Sequence, residues 1–142
     1  MSAALLLYCR AGFEGECAQE IEAGAHAAGI AGKARFDGDT GFVVFAADAT
    51  ESALRDVVHW RDHVFARQSL IAFAHLPNLA RNDRATPILA ALRERGEKFH
   101  EVWAEAPDSD AGKQLARLCK SFGNSLVGAL KKAQLLDAQA RR

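Results

Sequence analysis

The apolar residues of positions 1–76 fall into short runs whose spacing switches between the two-residue period of strands and the 3.6-residue period of helices. No other property of the chain restricts its fold so tightly. Ala4 to Cys9 is a short buried-strand run, ended by Gly12. Phe13, Cys17, Ile21 and Ala25 then recur every four residues, which places them on one face of a helix. Glu14, Glu16, Glu20 and Glu22 fall mostly on its other faces, with the acids crowding the first turns, where the helix dipole favours negative charge. Gly29 and Ile30-Ala31-Gly32 end this helix. Lys33–Asp37 and Gly41–Ala46 flank Gly38-Asp39-Thr40, a hairpin signal. Thr50 serves as an N-cap for a helix with Leu54, Val57 and Val58 as its buried stripe, and Val64–Phe73 reads as the next strand.

The resulting order, strand-helix-strand-strand-helix-strand, is the ferredoxin-like pattern, in which two helices cover one face of an antiparallel sheet. The predicted class is therefore α+β, with a first domain over residues 1–76. Leu76-Pro77-Asn78 marks its exit, and a second domain is expected over 77–142. There, Arg81-Asn82-Asp83-Arg84 leads into Thr86-Pro87, an N-cap with proline at the first helical position, and Ile88, Leu89 and Leu92 give the apolar face before Gly96. Phe99–Ala106 alternates as a strand. Pro107-Asp108-Ser109 caps a second helix bearing Leu115, Leu118, Cys119 and Phe122. Gly123-Asn124-Ser125 is expected to interrupt it before a third helix with Leu126, Val127, Leu130 and Gln134. One strand among three helices leaves both strand edges unpartnered, so this second α/β domain reads as incomplete, and self-association through the open edge is expected.

Composition bounds the function. The chain has 142 residues, 49% of them hydrophobic, enough for a packed core. No apolar run approaches the roughly 20 residues of a membrane span. Ala3–Leu7 is short and lacks a basic leader, and the three cysteines contain no C-x-x-C pair. A cytoplasmic protein with reduced thiols is expected, with Cys17 as a core thiol. The zero net charge conceals an asymmetry: residues 1–70 hold six Lys/Arg against ten Asp/Glu, a net of −4, and residues 71–142 hold twelve against eight, a net of +4. From Lys113 onward there are seven basic residues and one acid. Local positive charge of this kind suits a polyanion such as RNA, although a solvated basic tail has the same composition.

Lys113, Arg117 and Lys120 stand at i, i+4 and i+7, opposite the apolar face, and Lys131 and Lys132 follow one helix later. Ser121, Asn124 and Ser125 are expected in the turn between. Cations beside short hydroxyl and amide donors fit a phosphate backbone; an ordinary amphipathic helix with a basic solvent face is the alternative reading. His59 and His63 are spaced to share a metal on a helix, but no third ligand accompanies them, so surface histidines are expected and no metal is assigned. Trp60 and Trp103 sit in apolar patterns and read as packed. Arg10 follows the first strand where some ferredoxin-like acylphosphatases cradle a phosphate, yet no Gly-rich loop surrounds it. No GxGxxG, P-loop, nucleophile elbow or HExxH occurs, so neither a catalytic residue nor a cofactor-binding residue is assigned.

Several stretches resemble the bacterial large-subunit ribosomal RNA ribose-2′-O-methyltransferase M family: Leu7-Tyr8-Cys9-Arg10-Ala11-Gly12-Phe13-Glu14 with Glu16-Cys17-Ala18, then Phe65-Ala66-Arg67-Gln68, then Asp83-Arg84 with Thr86-Pro87-Ile88, then Leu115–Leu136 including Cys119-Lys120 and Ala129-Leu130. Ala11 stands where some members have proline. The resemblance implies a ferredoxin-like domain, a THUMP domain that helps position RNA, and a C-terminal Rossmann-like methyltransferase domain. It also implies methyl transfer from S-adenosylmethionine to a cytidine 2′-hydroxyl of 23S rRNA. The family's S-adenosylmethionine motif and catalytic lysines lie beyond Arg142, so the resemblance implies an inactive N-terminal fragment whose THUMP-like part is cut short. Its expected role is RNA positioning; a structural module docking against the methyltransferase domain, with little RNA contact, is the alternative.

Overall fold

The computed structural model describes residues 3–57, 63–137 and 139. The elements are β1 (Ala3–Tyr8), α1 (Glu14–Ala27), β2 (Gly32–Arg35), β3 (Phe42–Ala47), α2 (Glu51–Val57), β4 (Gln68–Ala72), α3 (Ala85–Glu94), α4 (Asp110–Gln114) and α5 (Ala116–Lys132). They fall in two compact units. One contains the stretch up to Phe73 together with Pro107–Gln114; the other contains Ala74–Ala106 and the chain from Leu115. The sequence placed 107–114 in the second domain, whereas here those residues pack with the first unit.

In the first unit the strands form one sheet in the order β2-β3-β1-β4, every neighbouring pair antiparallel. This is the strand order that two interleaved βαβ units produce, as the pattern predicts. Leu5 pairs with Phe45 and Leu7 with Val43. Their side chains share one face of the pleat and are buried with Cys17, Ile21 and Ala25 of α1 and Leu54 of α2. Each such aliphatic side chain contributes on the order of 2 kcal/mol. Thr50 acts as the expected N-cap, its Oγ1 accepting from Ala53 N–H at 3.1 Å. Val58 lies outside the described residues.

Carboxylates of α1 hold backbone N–H groups in the segments that lead into β3 and β4. Glu14 is buried, 2% exposed, not on an outer face. Its carboxylate accepts from Gly12 N–H at 2.9 Å, Asp39 N–H at 2.8 Å and Gly41 N–H at 3.2 Å. The turn at 39–41, beyond the end of β2 at Arg35, is held by this carboxylate. Glu20 accepts from Val64, Phe65 (3.0 Å) and Ala66 (3.4 Å) N–H groups, so β4 starts at Gln68 instead of Val64. Glu22 accepts from Ala34 N–H at 2.8 Å. Burial alone raises the Glu14 pKa, but the N–H groups of Asp39, Gly12 and Gly41 together outweigh it and hold the carboxyl below its ordinary value.

Cys9 and Cys17 are buried beside each other. Desolvation, with the neighbouring thiol, pushes Cys17 up to about 12, and burial followed by the Glu14 charge raises Cys9. Cys119 is only partly buried. Thiol labelling of the native protein at pH 8 is therefore expected to modify Cys119 first, with Cys9 and Cys17 reacting only when denaturant is added; simultaneous labelling of all three would contradict the packing.

The second unit contains α3 and α5 and no ladder among its described residues. The strand expected at Phe99–Ala106 is not formed. Only an isolated parallel bridge joins Phe99 to Leu136, through Phe99 N–H to Leu135 O and Asp137 N–H to Phe99 O, both 2.8 Å. The alternation of exposure persists along 100–106, but alternation makes a strand only where a neighbouring backbone supplies partners.

Candidate nucleic-acid interface

The helical part of the second half is arranged differently from the sequence reading, and the difference reshapes the basic surface. Ser109 Oγ accepts from Gly112 N–H at 3.0 Å and starts α4, which stops at Gln114. A separate helix, α5, begins at Ala116 and runs 17 residues through Gly123-Asn124-Ser125 without a break. The apolar spacing explains its continuity: Leu118, Phe122, Leu126 and Leu130 are four apart across the glycine, and Leu126 and Leu130 are buried. Gly123 costs about 1 kcal/mol in helix propensity relative to alanine. It also lets Ala104 approach, since a Cβ there would sit 3.3 Å from the Ala104 Cβ. The expected burial of Leu115 and Leu118 does not occur; they are 46% and 40% exposed.

One continuous helix brings together cations that the expected turn would have separated. Arg117, Lys120, Lys131 and Lys132 lie with Ser121, Asn124, Ser125 and Gly128 within an arc of roughly 140°. All eight are exposed. From Arg117 to Lys131 the face extends about 21 Å at 1.5 Å per residue. None of the ion pairs among the described residues involves these four cations. Lys113 is not part of this helix. It lies exposed on α4, in the first unit, whose 107–114 segment is tied by Arg67 to Asp108 at 3.1 Å.

Arg81 and Arg84 belong to a polar stretch with no periodic signal in the sequence. With Asn82, Asp83 and Ala85 they line a cleft of about 320 Å³ whose other wall is Leu118, Ser121, Phe122 and Ser125 of α5. Thr86 does not cap α3 but lies in its first turn, where Asp83 Oδ1, one residue ahead of the N-cap position Arg84, accepts from Thr86 N–H at 3.1 Å. The Thr86 hydroxyl, and after it the Thr86 N–H, hold the Asp83 carboxyl below its ordinary value.

The remaining sequence candidates separate clearly. Arg10 is exposed, but the N–H groups of Gly12, Asp39 and Gly41 near it are occupied by Glu14, so no phosphate cradle is open there. Trp103 is 78% exposed, not packed. His59 and Trp60 lie outside the described residues, and among the described residues no group of three His, Cys, Asp or Glu is placed to hold a metal. No helix of the described residues is long and apolar enough to cross a membrane.

Residues 1–70 match the RlmM ferredoxin-like domain, and residues 83–142 match the ribosomal RNA large subunit methyltransferase M, N-terminal domain. The chain belongs to the ribosomal RNA large subunit methyltransferase M family. It is 51% identical over 132 residues to the methyltransferase M of Xanthomonas oryzae pv. oryzae (strain PXO99A), and 52% identical over 133 residues to that of Xanthomonas campestris pv. campestris (strain B100). The protein of Xanthomonas euvesicatoria pv. vesicatoria (strain 85-10) is 49% identical over 132 residues. Each alignment covers 93% of this chain and 38% of the relative. The chain thus spans well under half the length of the methyltransferase M proteins it matches.

Proposed function

We propose that this chain is the RNA-positioning part of a large-subunit ribosomal RNA methyltransferase, with the polar face of α5 as its RNA contact. The observation that carries this reading is the unbroken helix with Arg117, Lys120, Lys131 and Lys132 exposed along one side. Cations fixed in a row beside serine and asparagine side chains suit a phosphate backbone. On this reading residues 1–76 are the ferredoxin-like domain, and residues 77–142 are THUMP-like and hold 23S rRNA. A Rossmann-like domain of the relatives' remaining length binds S-adenosylmethionine and transfers the methyl group to a cytidine 2′-hydroxyl in the cytoplasm. No residue of this chain is assigned to that transfer.

The test is RNA affinity as a function of salt. Log affinity is expected to fall linearly with log salt concentration, and replacing Arg117, Lys120, Lys131 and Lys132 by Ala should reduce the slope by about 3, at 0.7–0.9 per phosphate contact. Lys113→Ala, on a different helix, is expected to change it by no more than about 1. Binding that is absent, or indifferent to salt, would favour a structural module that docks against the methyltransferase domain.

A further inference from the structure

We infer that the cleft between Arg81–Ala85 and α5 receives one unpaired nucleotide of the bound RNA, its base against Leu118 and Phe122 and its phosphate on Arg81 and Arg84. This deepens the RNA reading above and rests on it. The volume, about 320 Å³, is at the small end of ligand sites, a size comparable with a single nucleotide. The lining is mixed in the way a nucleotide requires. Leu118, an apolar side chain left 40% exposed, forms one wall with the half-buried Phe122, and a flat base covers such a surface. Arg81 and Arg84 supply guanidinium groups, whose fork geometry matches phosphate oxygens. Arg84 is half-buried, with Nη1 reaching back to the Arg81 carbonyl at 3.5 Å.

The hydroxyls add a polar edge. Ser121 Oγ donates to Leu118 O and Ser125 Oγ donates to Ser121 O, both at 3.4 Å. With their protons directed along the helix, both oxygens present lone pairs to a donor such as a ribose 2′-hydroxyl or an exocyclic amine. Asp83 leaves the lining at a net +1, and its carboxylate is engaged by Thr86. Ser121 and Ser125 also belong to the α5 polar face, so a strand held by the α5 cations passes the mouth of the cleft. A base held in a duplex is stacked and paired on both sides and cannot enter.

The experiment compares binding of the 142-residue chain to a labelled six-nucleotide single-stranded RNA and to the corresponding duplex, at one low salt concentration. Arg81→Ala/Arg84→Ala and, separately, the exposed-site change Leu118→Ser are each expected to weaken single-strand binding about tenfold while altering duplex binding less than twofold. Arg117→Ala/Lys120→Ala should weaken both. If the cleft variants lower both RNAs equally, or neither, the cleft holds no nucleotide, while the α5 reading stands on the Arg117/Lys120 result. If the unsubstituted chain binds neither RNA, the RNA reading fails and this inference with it.

Discussion

Glu14→Ala is expected to destabilise the first unit by about 3 kcal/mol, lowering its melting temperature on the order of 15 °C. Alanine would leave the buried Gly41 N–H without its acceptor and would strip the part-buried N–H groups of Gly12 and Asp39 of theirs. An unsatisfied buried donor costs about 1–3 kcal/mol. Glu14→Gln should lose roughly half as much, because its amide keeps one acceptor oxygen but turns an NH₂ toward backbone donors. Urea denaturation followed by circular dichroism measures both. The carboxyl also gives the fold a pH dependence of known sign. Its folded-state pKa lies below the ordinary 4.5, so between the two values the unfolded chain binds more protons than the folded one. The stabilisation is complete above the ordinary value and is lost as pH falls through the depressed one. Wild type should therefore lose more stability between pH 6 and pH 3 than Glu14→Gln does. Equal losses would show that this carboxylate is not held as described.

Gly32→Ala is expected to cost about 2–3 kcal/mol, although alanine favours no less regular a backbone than glycine. A Cβ at this position would overlap the Phe45 ring, with Cε2 at 2.8 Å, and lie 2.7 Å from the Ala46 carbonyl oxygen. The carbonyl belongs to the neighbouring strand, and Phe45 is fully buried in the core, so neither gives way cheaply. Gly38→Ala is the internal control. Nothing lies within 4 Å of a Cβ there, and the substitution should be neutral or stabilising by a few tenths of a kcal/mol. Comparable destabilisation by both would place the cost in glycine's backbone freedom and not in the β2–β3 contact.

These residues also mark the limit of what sequence could reveal. The order of elements in the first unit was legible because Leu5, Leu7, Val43 and Phe45 alternate and Cys17, Ile21 and Ala25 recur at helical spacing. The late start of β4 was not, because Glu20 reaches an N–H group 45 positions away, and neither was the turn held by Glu14, 25 positions from Asp39; the sequence marks these acids only as dipole partners. In the second unit, Gly123-Asn124-Ser125 carried a local turn signal, and the four-residue spacing from Leu118 to Leu130, which overrides it, was divided between two helices. The basic residues of α5 were legible as a group. Lys113 was grouped with them because nothing in the sequence marks Leu115 as the gap between α4 and α5. Arg81 and Arg84 had no periodic signal at all; only the approach of α5 gives them a shared wall.

The continuity of α5 has an entropic consequence. Two short helices joined at Asn124 would swivel, and a polyanion would have to freeze that motion before meeting all four cations. A single rod settles their spacing during folding, so little ordering of the backbone is left for the encounter, and only the side chains remain to be immobilised. On the proposed RNA reading the face acts as a ruler: an anion whose charges repeat at the wrong interval meets Arg117 or Lys131, but not both.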